Sequence, residues 1–351
     1  QKLMIVQDVI THLEALAPLA YAEEFDNVGL LVGHKTTEVT GVLVTLDTLE
    51  TVVDEAIKNQ CNLIVSFHPI IFKGLKKITG KTYVERVLIK AIEHKIAIYA
   101  IHTALDNAFE GSNSGLCDLL GLQNKAILIP QAGTIKQLTT YVPEQNADTI
   151  RTALFESGAG SIGNYTDCSF NSVGTGTFKG NEHSNPVIGT KHLLQKVSET
   201  KITVSFAKHL ENDILKTLFS SHPYEEVAYE ILTVENKNQH IGMGMVGQLE
   251  QPMDETSFID FVKTCLNCSV IRHSEFLETP IQKVAVLGGS GSFAIEAAKA
   301  AGADAFITAD LKYHDFFSAE NKLLLADVGH YESEQHIKNI LVAHLKKKIT
   351  N

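Results

Sequence analysis

Four stretches of the chain place a histidine or a carboxylate just past an apolar run. They are IVSFHP with His68, YAIHTALD with His102 and Asp106, FITADLKYH with Asp310 and His314, and LADVGHYESE with His330 and Glu334. Imidazole and carboxylate are donors that suit zinc, manganese and iron. If each apolar run is a strand of an α/β sheet, these groups collect at the carboxyl ends of the strands, where such folds bind ligands. The chemistry indicated first is therefore that of a divalent-metal site. Each motif also has a plainer use. A carboxylate at Glu334 complements a helix N-terminus, His68 is held extended by Pro69, and Asp310 and His314 read equally as a helix cap and a helix-face histidine. Of His102 and Asp106, either can ligate while the other orients a ligand. The shared position at strand ends is the argument.

The elements that must position these residues follow from the hydrophobic pattern. Val42 to Asp47, Asn62 to Phe67 and Ile96 to Ile101 are short β-branched runs, as strands buried on both faces should be. Helices are expected between them, at Leu49 to Lys58 and Tyr83 to Lys95. The rhythm returns near the end of the chain: strands at Lys283 to Gly289, Asp304 to Asp310 and Lys322 to Val328, and a helix at Phe293 to Ala301. A closing amphipathic helix carries Ile337, Ile340, Leu341 and Leu345, with Glu334 in its first turn. This order predicts an α/β core with a largely parallel sheet covered by helices.

The middle differs. Gln137 to Val142, Ile202 to Phe206 and Val227 to Thr233 alternate apolar and polar residues, the pattern of half-buried antiparallel strands. Helical segments lie at Ala147 to Ser157 and Glu211 to Ser220. The order approximates β-α-β twice over, a ferredoxin-like α+β unit. The reading is an inserted domain at 131–247, splitting the core into 1–130 and 248–351.

Rival motifs are fewer. Gly289-Ser290-Gly291-Ser292-Phe293-Ala294 matches G-x-G-x-x-A after a strand, and Asp310 follows about 20 residues later, as a dinucleotide fingerprint requires. Few residues remain to complete a nucleotide-binding half, so Gly289 and Gly291 read better as a turn that lets backbone approach the metal site or a substrate phosphate. Cys265 and Cys268 form a lone CxxC, whereas zinc would need a second pair. No G-x-S-x-G elbow is present.

With 351 residues, 44% hydrophobic and 20% charged, the composition is that of a globular protein. A net charge of −11 argues against nucleic acid as a partner. Lys73, Lys76, Lys77 and Lys81 form a solvated face or meet an anionic substrate. Lys346, Lys347 and Lys348 suit a helix C-terminus. No apolar run has membrane-spanning length, and the opening QKLMIVQDVITHLEAL reads as an amphipathic helix rather than a secretory signal. Five cysteines without a scaffold spacing fit a reducing cytoplasm.

Taken together, EEFDNVGLLVG, SFHPIIFKGLKKI, IHTALDNAFEGSNSGLCDLLGL, SHPYEEVAYEI, GGSGS, ITADLKYHD and GHYESE resemble the GTP cyclohydrolase 1 type 2 homologues, also called Ngg-interacting-factor-like proteins, over nearly the whole chain. The resemblance implies an α/β core with two adjacent divalent metals, a toroidal homohexamer, and in longer members an inserted domain like the PII and CutA folds. It implies metal ligands at His68, Asp106, His330 and Glu334, with His102, Asp310, His314, Gly289 and Gly291 as supporting or substrate-facing candidates. One ligand does not carry over: Phe67 stands where the family's His-His-Pro motif has its first histidine. Ala104 also replaces an asparagine common in the His-Thr-Asn-Leu-Asp form. One or two metals per chain are therefore expected, zinc, manganese or iron. The function expected is a metal-dependent hydrolase of a small molecule. The alternative is a metal- or ligand-binding regulator without turnover.

Overall fold

A computed structural model describes residues 3–349 and divides the chain into two compact units, Gln1–Pro130 with Gln239–Asn351, and Gln131–Asn238. The first unit opens with helix α1 (Val6–Leu16), which buries Val6, Val9, Ile10 and Leu13 along one face, the spacing of an amphipathic helix. Then come β1 (Gly29–Val32), β2 (Val42–Thr45), α2 (Glu50–Lys58), β3 (Leu63–Ser66), α3 (Tyr83–Glu93), β4 (Ala97–Ala100), α4 (His102–Asp106), α5 (Ser112–Leu119) and β5 (Gln123–Gln131). Helix α3 starts where Thr82 Oγ1 accepts the Glu85 amide, an N-cap that satisfies one orphan donor. Strands β1 to β4 form one sheet in the order β1-β4-β3-β2, parallel except for the edge strand β1. Every residue of β3 and β4 is buried.

The second unit runs β6 (Ile135–Pro143), α6 (Ala147–Glu156), β7 (Phe170–Phe178), β8 (Gln195–Ala207), α7 (Glu211–Ser221) and β9 (Tyr229–Thr233). Its sheet is antiparallel, in the order β7-β8-β6-β9. Alternate residues Leu138 and Val142 of β6 and Ile202, Val204 and Phe206 of β8 form its core with Ile150 and Leu154 of α6 and Ile214 and Leu218 of α7. This unit ends at Asn238 rather than at 247, because β10 (Asn238–Met253) pairs from Met245 onward with β12 (Ile281–Ser290) of the first unit.

The first unit continues with α8 (Glu255–Leu266), β11 (Arg272–His273), β12, α9 (Ile295–Ala300), β13 (Ala305–Ala309), β14 (Leu324–Asp327), α10 (His330–Glu334) and α11 (Ile337–Lys348). These strands make a second sheet, β11-β14-β13-β12-β10-β5, with β12, β13 and β14 parallel. The core is thus two sheets. Each half of the sequence brings three parallel strands, and β5 of the first half joins the second sheet beyond β10 as its edge strand. Two helices also begin elsewhere than the pattern predicts. Ser292–Ala294 forms a 3₁₀ turn, so α9 starts only at Ile295. Glu334 closes a five-residue helix of its own instead of opening α11. Helix α11 packs Ile337, Leu341 and Leu345 into the same core as α1, and His344 Nε2 donates to the carbonyl of His12 at 2.7 Å. No helix among the described residues is long and apolar enough to cross a membrane.

Candidate metal centre

The two sheets bring their strand ends together through a few exact local choices. Gly329 has φ +94, a backbone region that favours glycine. This turn lets α10 start at His330, directly after β14. Residues four apart on a helix share a face, so His330 and Glu334 point the same way. His68 enters from the end of β3. His68 Nε2 and His330 Nε2 each lie 3.2 Å from Glu334 Oε2. Among the described residues, these three side chains form the only group of histidine, cysteine and acid side chains placed to hold a metal ion, with ligand atoms within 4.8 Å of one another.

The outer nitrogens fix the inner ones. His330 Nδ1 donates to Asp310 Oδ2 at 2.7 Å, and His68 Nδ1 donates to Asp47 Oδ1 at 3.0 Å. A carboxylate can only accept, so each ring carries its proton on Nδ1 and a neutral ring turns a lone pair at Nε2 toward Glu334. Carboxylate–histidine pairs of this kind orient metal ligands. Glu334 is buried, at 4% exposure, and its Oε2 has no hydrogen bond despite the two nearby nitrogens. A buried carboxylate oxygen without a well-aligned donor is costly; positive charge on the two imidazoles or a divalent cation between them would each offset it. The donor set fits a divalent metal.

The charges are strongly coupled. At His330 the adjacent Glu334 carboxylate outweighs burial and, with Asp310, holds the imidazole up to about 9. At His68 burial opposes protonation, but Asp47 and Glu334 overcome it and hold the ring up to about 10. Burial pushes the Glu334 carboxyl up, and the two imidazoles more than offset it, leaving its pKa below the ordinary value.

Asp106 lies outside that group of three. It accepts a hydrogen bond from the Ser112 hydroxyl, and burial, reinforced by the charge of Glu334, pushes it up to about 7. His102 sits beside His68, ring centroids 5.2 Å apart, with an unusual φ of +22. Its Nδ1 donates to Asp26 Oδ1 at 2.9 Å, and the other oxygen of Asp26 receives the Thr103 amide at 3.1 Å and the Thr103 hydroxyl. Phe67 is fully buried, its ring 4.9 Å from that of His68 and 5.4 Å from that of His102. His314 is exposed and packs with Tyr313 and Phe317.

The glycine-rich turn belongs to the centre, but by its lack of side chain. A Cβ on Gly289 would stand 2.5 Å from Glu334 Oε1 and 3.3 Å from His330 Nε2, and φ there is +71. The amide of Gly289 already donates to Ser333 Oγ and that of Gly288 to Asn113 Oδ1. Ser290 donates to Asp310. The amides of Gly288 and Gly289 are thus committed within the chain. Gly291 makes room for Thr308, whose hydroxyl a Cβ would strike. Asp47 and Asp26 are supporting residues the metal motifs alone do not single out. Asp47 ends a predicted strand like the other candidates, a signal that was available. Asp26 has none beyond its place in EEFDNVGLLVG.

With this geometry in place, comparison with known proteins is decisive. The family model for Duf34/NIF3 (NGG1p interacting factor 3) matches residues 4–351. The chain belongs to the Duf34/NIF3 family. A GTP cyclohydrolase 1 type 2 homolog of Bacillus subtilis is 40% identical over 93% of this chain and 88% of the relative, and one of Listeria innocua is 38% identical over 96% and 90%. Among solved structures, a Bacillus cereus protein related to NIF3 superposes with a TM-score of 0.85 at 36% identity, covering 99% of this chain and 95% of that one. A Staphylococcus aureus protein follows with a TM-score of 0.79 at 30% identity, covering 100% and 95%. The mixed α/β fold of this Duf34/NIF3 chain is therefore shared with solved members.

Proposed function

We propose that this Duf34/NIF3 protein binds a divalent metal at His68, His330 and Glu334, with Asp106 completing the set, and hydrolyses a small-molecule substrate there. The observation that carries the reading is the buried Glu334 Oε2, without a hydrogen bond and faced by two imidazole nitrogens whose far sides are tied to Asp47 and Asp310. When bound, such a cation supplies Lewis acidity, making water more acidic and polarising the bond that water attacks. The protein's own part is positional. Asp47 and Asp310 hold the rings, Gly289 leaves the space clear, and Asp26 fixes His102 beside His68. The burial that raises Asp106 also makes it a group that a nearby cation would ionise.

Phe67 supports a second reading. A phenyl ring cannot ligate, so the side facing β3 has one imidazole where the family motif offers two, and a centre with fewer donors suits binding or regulation without turnover. The chemical name of the relatives gives a purine nucleotide as one substrate to try, although none of the three ligands reads a base. We also read the second unit as ferredoxin-like and the assembly as a cytoplasmic homohexamer, on the family resemblance.

Elemental mass spectrometry on untagged protein purified without chelators tests the metal. One ion per chain is expected, and two would restore a dinuclear mechanism. None after reloading would end the proposal. For hydrolysis, turnover found in a substrate screen should vanish in His330→Ala. Activity that survives both that change and metal removal places the chemistry elsewhere.

A further inference from the structure

The motif SHPYEEVAYEI plays no part in the metal centre. It lies in the second unit, where it lines a cavity of about 370 Å³, a volume within the range of small-molecule sites. The cavity has a built wall. His222 is buried; its Nε2 donates to the Tyr141 carbonyl at 3.0 Å and its Nδ1 accepts the Tyr224 amide at 3.1 Å. Both ring nitrogens are thereby committed, which fixes a neutral tautomer and pins the backbone of Tyr224. The Tyr224 hydroxyl in turn donates to Glu199 Oε1 at 2.9 Å. A buried histidine thus sets a tyrosine, and the tyrosine sets a carboxylate at the cavity.

The rest of the lining says what such a carboxylate would meet. The rings of Phe178 and Tyr224 stand 5.9 Å apart, inclined at 59°. Pro186, Val187 and Ile188 add an apolar side, and the strap that bears them is tied down where the Asn185 amide donates to Glu225 Oε1 at 2.8 Å. Glu199, Glu225 and Glu226 face the cavity against one cation, Lys179. None of the three is in an ion pair among the described residues. Aromatic faces attract cations, a fixed carboxylate neutralises them through charge-assisted hydrogen bonds, and an apolar side accepts a hydrocarbon body. A hard divalent ion such as calcium or magnesium would want six or more converging oxygens, which aromatic and aliphatic walls do not offer.

We propose that this cavity binds an organic ammonium ion carried on an apolar body. The site is separate from the metal centre and does not depend on what that centre does.

The test is isothermal calorimetry on the full chain with three probes of one shape: phenethylammonium, neutral 2-phenylethanol and anionic 3-phenylpropionate. The cation should bind saturably, one per chain, at least about tenfold tighter than the other two. Glu199→Gln, which keeps the hydrogen bond from Tyr224, should weaken the cation about tenfold or more and leave 2-phenylethanol unchanged. Circular dichroism and the melting curve verify that the variant is folded. Equal binding of the neutral probe, no saturation by the cation, or a folded Glu199→Gln that binds it as before would each overturn the proposal. The probe series in the unmodified protein decides the matter even where the variant does not fold.

Discussion

The two sheets of the first unit meet the candidate metal centre with unequal equipment. From the second sheet come His330 and Glu334, two donors on one short helix, with Asp310 behind the imidazole and Gly289 cleared away in front. The first sheet offers His68 with Asp47 behind it, and beside His68 the buried ring of Phe67. Both sides use the same device, a carboxylate on Nδ1 that turns Nε2 inward. They differ in how many donors they deliver. A helical i,i+4 pair is positioned by a single turn at Gly329. The end of β3 delivers His68 alone, because Phe67 beside it carries no donor atom.

That contrast can be broken from either side. Glu334→Ala should have the largest effect, because it removes the atom both imidazoles face: metal content should fall to background, more than about a hundredfold in affinity, beyond the cost of losing an orienting carboxylate. Full occupancy in that variant would mean His68 and His330 bind independently. Asp310→Asn and Asp47→Asn come next, each weakening metal about 10–100-fold by competition with a chromophoric chelator. Similar losses on both sides would show that the device is shared equally. Phe67→His should raise the stoichiometry from one ion to two, at a stability cost of about 1–3 kcal/mol for placing a polar ring in a buried apolar site, read by denaturant melts. A variant that stays at one ion would show that the phenyl ring is not what separates the two sides. The smallest effect is expected from Asp26→Asn. Burial opposes ionisation of Asp26, yet His102 and Thr103 hold its carboxyl down to about 2, below the ordinary aspartate value. Its contribution is therefore complete above about pH 4 and lost as pH falls through about 2. Melting curves between pH 5 and 2 should be less pH-dependent in Asp26→Asn than in the parent.

Much of the candidate centre was legible because imidazole and carboxylate side chains at strand ends are a pattern of residue type and period. His68, His330 and Glu334 follow runs whose burial is visible as unbroken apolar sequence, and Asp310 behaves as an orienting residue. What escaped depends on tertiary placement. That Asp26 reaches His102 across 76 residues leaves no periodic trace. The separate helix of His330 and Glu334 rests on one glycine dihedral, and the pattern alone extends α11 back over it. The existence of two sheets was also hidden, since buried parallel strands look alike whichever ladder they join. The alternation in the second unit was easier, because a sheet with one face on a helix layer writes its burial into every second residue.

The pairing of α1 with α11 has a consequence for how the protein is made. Val6, Val9, Ile10 and Leu13 share a core with Ile337, Leu341 and Leu345, and His68 waits for His330 and Glu334. Contacts between residues so far apart in sequence close slowly, because the loop entropy is spent before the contact rewards it. During synthesis the first sheet must persist with one apolar face covered by α1 but not yet by α11, a period when it is open to misassociation. The three candidate metal ligands come together in the same late step. If the site takes up metal as proposed, a nascent protein stalled before His330 and α11 have emerged should be a client of chaperones rather than a carrier of metal.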